Sequence, residues 1–208
     1  MRRCSKMFAS ACVLSAVVLL GGCGSDALKS VTATILQVQK DGSMKEAMVD
    51  SSEGETFTAE DVRTFIEEDL TEYVQDGGSD QVTLDSVSME ENVVRVDMSY
   101  GSYEEYADYH KTDCFYGTYS DAKVAGYTFD TQLEDNSGEV AALATIDAND
   151  DGWHVLILQE AVDVVTPGNI LYASTNVEIT GKKTATIKAD EESQDAVTIG
   201  SLAYIICK

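Results

Sequence analysis

The sequence predicts an α+β fold: a single domain rich in antiparallel β-sheet, with one main helix (about 59–76) packed on the sheet and a short second helix (about 103–111). Three observations predict it. Many short alternating or apolar runs are set apart by turn signals. Helical periodicity is sustained in only one long stretch. No βαβ alternation repeats, so a doubly wound parallel sheet is not expected.

The elements follow in order. Val31, Ala33 and Ile35 alternate with Thr32 and Thr34, and the pattern resumes over 44–49 after Asp41-Gly42. An Asp-Gly between alternating runs predicts a hairpin, because glycine supplies the positive φ that matches strand twist. Thr58 with Asp61 three residues on is a capping box. Val62, Phe65, Ile66, Leu70, Tyr73 and Val74 then share a helical face, which Gly77-Gly78 ends. A second hairpin joins 82–89 to 93–100 through Glu90-Glu91-Asn92, with Val94, Val96, Met98 and Tyr100 turned to one side. Ser102 with Glu105 opens the short helix.

Further strands are expected near 113–118, 127–131, 139–146, 153–165, 170–179, 184–188 and 202–207, with a loop or helical turn over 120–126. Thr166-Pro167-Gly168-Asn169 suits a type II turn, with glycine at the position that needs positive φ. Residues 134–139 are the best candidate for a surface loop.

The N-terminus carries an address. Arg2, Arg3 and Lys6 precede an apolar run from Met7 to Leu20, no acidic residue occurs before Cys23, and the run ends Leu20-Gly21-Gly22-Cys23. That is the order of an export signal. The ending resembles the lipobox of bacterial lipoproteins, which implies a diacylglycerol on the Cys23 sulfur and removal of the peptide ahead of it. A retained anchor would need about 20 apolar residues, and the sixteen positions between Lys6 and Cys23 include two glycines and two serines. Plain secretion is the other alternative, since Gly-Gly also suits an ordinary signal peptidase, but Cys23 directly after the small pair favours lipidation. The expected organisation is a signal peptide over 1–22, a lipidated cysteine and tether over 23–29, and one extracytoplasmic domain over 30–208 on the outer face of a membrane.

The chain has 14 basic and 37 acidic side chains, a formal charge of −23. The leader takes three of the basic ones and no acidic one, so the mature chain is more acidic still. Such a surface repels nucleic acid and anionic lipid, and no nucleic-acid partner is expected. With 44% hydrophobic residues and ten tyrosines it is not a disordered acidic tail. The chain is long enough for one ordinary core. Cys4 and Cys12 leave with the signal and Cys23 is consumed, so Cys114 and Cys207 are the mature thiols. They are expected as separate buried side chains rather than a disulfide.

The body resembles small lipoproteins of Gram-positive anaerobes to which no reaction or ligand is assigned. Tyr100-Gly-Ser-Tyr-Glu-Glu-Tyr, Phe115-Tyr-Gly-Thr-Tyr and Pro167-Gly-Asn-Ile-Leu-Tyr-Ala-Ser-Thr-Asn-Val with Ala203-Tyr-Ile-Ile carry the likeness. It implies location and little else.

Two stretches suggest chemistry. Asp147, Asn149 and Asp151 alternate as in the opening of a calcium loop. Its twelfth position is Leu158 rather than a glutamate, so a polar turn between strands is the preferred reading and no metal is expected. Tyrosines concentrate between 100 and 127, and Tyr103, Tyr106 and Tyr109 on the short helix are the candidate ligand surface. A thiol enzyme from Cys114 with His110 or His154 is disfavoured, since 113–116 looks extended. There is no Gly-x-Ser-x-Gly, no phosphate loop and no zinc spacing, so no cofactor is expected.

The expected function is a non-enzymatic, membrane-anchored binding or structural module, with a protein or glycan partner. The alternative is a lipid-anchored hydrolase of glycan or cell wall using two carboxylates. Few polar residues break the best-patterned strands, which leans against an enzyme.

Overall fold

A computed structural model of the chain describes residues 32–53, 56–150, 152–189 and 198–208; the leader, Cys23 and the tether lie outside them. Asp41-Gly42 folds the chain back between β1 (Ile35–Val38) and β2 (Met44–Ser51), Gly42 lying at φ +88° and Asp41 Oδ1 accepting the Ser43 amide. The capping box at Thr58 and Asp61 opens α1 (Ala59–Gln75), and Gly77, at φ +96°, follows its end. Of the helical face read from the sequence, Ile66 and Tyr73 are buried, while Phe65 and Val74 stay exposed. The contact stripe is therefore narrow, and α1 lies over β3.

β3 (Val82–Glu90) and β4 (Val93–Tyr100) form the second hairpin, with Val94, Val96, Met98 and Tyr100 all in the core. α2 (Tyr103–His110) follows at once and ends on Lys111 in the left-handed region. β5 (Cys114–Thr118) and α3 (Tyr119–Val124) come next, then the two-residue β6 (Leu133–Glu134) and α4 (Leu143–Asp147). The remainder is strand: β7 (His154–Glu160), β8 (Asp163–Val165), β9 (Ile170–Ser174), β10 (Val177–Ile179), β11 (Thr184–Ile187) and β12 (Thr198–Cys207).

These strands make two sheets rather than one. The seven-stranded sheet runs β10-β11-β8-β1-β2-β4-β3, with β1 and β8 parallel and its other pairs antiparallel. The five-stranded sheet, β5-β7-β12-β9-β6, is antiparallel throughout. One core joins Leu36, Val38, Met44 and Met98 of the larger sheet to Leu156, Leu158, Ala203 and Ile205 of the smaller, with α1 and α2 contributing Ile66, Tyr73, Tyr106 and Tyr109. A second core covers the opposite face of the smaller sheet, where Val155, Ile157, Tyr204 and Ile206 meet α3, α4, Phe129 and Leu133. Each fully buried aliphatic or aromatic side chain is worth about 1.5–3 kcal/mol, so the small sheet is held from both sides.

Several sequence expectations change. The run 153–165 is two strands, one in each sheet, divided at Ala161-Val162; 170–179 divides likewise at Thr175-Asn176. Residues 127–131 form no strand, and over 139–146 only Val140 makes an isolated bridge before α4 begins. α4 is a single short turn, capped at its two ends by Ala142 and Ala148, with Ala144 inside it. The 166–169 segment is not a type II turn, because Gly168 is not at positive φ. Glycine is needed there for space: a Cβ would stand 2.3 Å from the Lys208 carbonyl oxygen. Among the described residues, no helix is long and apolar enough to cross a membrane.

Candidate functional site

Two carboxylates enter the main core from opposite sheets. Glu46 sits on β2 between Met44 and Met48, opposite Leu36 and Met98, and is 4% exposed. Glu160 continues the row of Leu156 and Leu158 on β7 and is 8% exposed. α2 lies in the space between them. Ser102 caps that helix by accepting the Glu104 amide and donating to the Glu105 carboxylate. Tyr106 and His110 then fall one helical turn apart, turning their polar tips into the core.

Hydrogen bonds join these groups into one cluster. The Tyr100 hydroxyl donates to Glu46 Oε2 at 2.8 Å and stands 2.7 Å from His110 Nε2, which is itself 3.2 Å from Glu46 Oε2. The Tyr106 hydroxyl donates to Glu160 Oε2 at 2.5 Å. The Tyr109 hydroxyl donates to Asp69 of α1 at 2.8 Å, and the Tyr73 hydroxyl to Asp108 at 2.8 Å. The Tyr100 and Tyr106 rings pack edge to face at 4.9 Å, and the His110 ring lies 4.4 Å from that of Tyr106.

Burial sets the electrostatics. It pushes the Tyr100 and Tyr106 phenols well above their ordinary values, with Glu46 and Glu160 adding to the shift. Burial also raises Glu160, an effect that His110 partly offsets and Glu46 reinforces. At His110 burial works against the charged ring, but Glu46, Glu160 and Asp69 outweigh it and the net shift is upward.

No family model, curated protein or solved structure matches the chain. What the site does has to be read from its own chemistry.

The tyrosine surface read from the sequence is corrected. Tyr106 is fully buried and Tyr109 is 7% exposed, so neither ring is offered to solvent; Tyr103 is half-buried with its ring 5.1 Å from Phe115. The apolar stripe of α2 is core because a second sheet covers it. Of the calcium candidates, Asp147 pairs with Lys123 at 2.8 Å and Asn149 donates to the Thr145 carbonyl; Asp151 lies outside the described residues. The strand expected ahead of them is α4. Among the described residues, no cluster of three or more histidine, cysteine or acidic side chains has the geometry to hold a metal. Cys114 and Cys207 are free and buried, on β5 and β12, with β7 between them; burial raises both thiols, Cys207 to about 11.

Glu46 and Glu160 were not among the residues singled out from the sequence as a site, and His110 was weighed only as a partner of Cys114. A signal existed: each glutamate interrupts an alternating apolar row, Met44-x-Glu46-x-Met48 and Leu156-x-Leu158-x-Glu160. The strands do contain polar breaks.

A different feature faces solvent. At one end of β9 and β12 a groove of about 460 Å³ is lined by Thr128, Asp130, Thr131, Thr175, Asn176, Ser201, Leu202 and Tyr204. Hydroxyls, one carboxamide and one carboxylate line it, and no cationic side chain does. Ser174 braces it by donating to Asn176 Oδ1 at 2.6 Å, and Tyr204 by donating to the Thr128 carbonyl at 2.8 Å.

Proposed function

We propose that the chain is a lipid-anchored, extracytoplasmic binding module that holds a neutral, hydroxyl-rich ligand such as a glycan in the groove at the end of β9 and β12. The single observation that carries the ligand class is the groove's lining. Hydroxyls and an amide exchange hydrogen bonds with sugar hydroxyls in either direction. An anionic ligand would meet Asp130 and the field of a chain of formal charge −23, with no cation in the groove to receive it. The lipobox supports the anchor, which would hold the domain beside the membrane surface.

The test is a thermal-shift screen of the full chain in detergent against neutral and acidic oligosaccharides of equal length. A neutral sugar at a hundred times its dissociation constant should stabilise the fold by about 2.7 kcal/mol, and Asn176→Ala should abolish the shift. Stabilisation by acidic sugars alone, or a shift that Asn176→Ala leaves intact, contradicts this reading.

The facing pair Glu46 and Glu160 favours a second reading, a carboxylate hydrolase. Against it, Tyr100, Tyr106 and His110 fill the space a substrate and its water would need. Glycan hydrolysis lost in both Glu46→Gln and Glu160→Gln, with the fold intact, would establish it.

A further inference from the structure

Two carboxylates and one imidazole share the core between the sheets, and their hydrogen-bond geometry counts protons. Glu46 Oε2, Tyr100 Oη and His110 Nε2 form a triangle with sides of 2.8, 2.7 and 3.2 Å. The tyrosine hydroxyl has one hydrogen and cannot serve both of its short contacts. With that hydrogen donated to Glu46, the second hydrogen of the triangle sits on His110 Nε2, pointing at Tyr100 and Glu46. With the ring neutral, two ionised carboxylates stand in the core without a compensating cation, which low-dielectric surroundings penalise. A further proton, on the ring or on Glu160, relieves this.

We propose that this cluster is a pH-sensitive latch, which holds α2 between the two sheets while the extra proton is in place and loosens α2 as rising pH removes it. The groups facing it are set by six elements: Glu46 from β2, Tyr100 from β4, Tyr106, Tyr109 and His110 from α2, Asp69 from α1 through Tyr109, Cys114 from β5, and Glu160 from β7. Among the described residues no lysine or arginine pairs with Glu46 or Glu160, so no fixed cation replaces the proton once it leaves. The folded-state shifts have one sign. His110 is raised above 6.5, so its stabilisation is complete below that value and lost as pH climbs through the folded one. Glu160 is raised above 4.5, so its ionisation weakens the fold over the range above that value.

The test uses the chain's two histidines. Proton NMR of the full chain in detergent follows both imidazoles through pH, with His154→Gln assigning them. Hydrogen exchange of the α2 amides, corrected for intrinsic exchange, is followed in parallel. The latch predicts that His110 titrates above 6.5 and that the α2 opening equilibrium rises by up to about tenfold per pH unit around that value, as release of one proton requires. Glu160→Gln should leave α2 better protected at pH 8 than wild type. His110 titrating at or below 6.5, or α2 protection that ignores pH, overturns the proposal, and neither readout needs a variant lacking His110 to fold.

Discussion

Glu160 carries the largest local consequence of the core's polar character. Its carboxylate is 8% exposed and accepts from the Tyr106 hydroxyl. Tyr106→Phe removes that donor without opening a cavity, and hydrogen bonds to a charged group are worth about 1.5–3 kcal/mol. The loss should reach that range at pH 8, where Glu160 is most ionised, and shrink toward pH 5. Glu160→Gln in the Tyr106→Phe background should recover part of it. Chemical denaturation at the two pH values measures both, and a penalty independent of pH would show that Glu160 does not change its charge between them. At this scale the sequence was half legible. An acid in an apolar row is visible in Met44-x-Glu46-x-Met48, but its meaning depends on a facing group 114 residues away at Glu160, which no local pattern encodes.

Among the elements, those whose partners are near in sequence were readable. The hairpins 35–51 and 82–100 and the helix 59–75 follow from turn chemistry, alternation and a cap that act within a few residues. The misread elements depend on distant partners. An apolar run does not record where it leaves one sheet for another, so β7 and β8, and β9 and β10, read as single strands. The same gap exposed the α2 tyrosines on paper and buried them in the fold. Two substitutions test this view by denaturation. Thr58→Ala removes a local cap and should cost about 1 kcal/mol. Gly168→Ala meets the Lys208 backbone, where Asn169 and Lys208 exchange amide hydrogen bonds of 2.6 and 3.0 Å, and should cost about 1–3 kcal/mol. A neutral Gly168→Ala would mean that Lys208 is not held against this bend.

For the whole molecule, the titrating groups fall into two sets. Asp61, Asp135 and Asp150 are held below 3.8, chiefly by side-chain hydrogen bonds from Thr58, Ser137 and Ser120, so their support is lost as pH falls beneath that value. His110 and Glu160 are shifted upward, and their support is lost as pH rises. Stability should therefore peak on the acidic side, between about 3.8 and 4.5, decline above 4.5 as Glu160 ionises and decline further above 6.5 as His110 loses its proton. The formal charge of −23 acts in the same direction, since acidification relieves self-repulsion. Salt should consequently raise stability at pH 8 more than at pH 5.5, which paired melting curves would check; an optimum at or above pH 8 would contradict the assignment of the buried acids.

The functional account joins that acidic domain to an anchor, and the anchor is its central claim. We propose that Leu20-Gly21-Gly22-Cys23, after an apolar leader, directs the domain to the outer face of a membrane. Intact-mass analysis of the protein extracted from membranes tests it most directly. The account predicts a mature chain that begins at Cys23 and carries the mass of a diacylglycerol on its sulfur. An unmodified Cys23, or a mature chain that begins elsewhere, would contradict it.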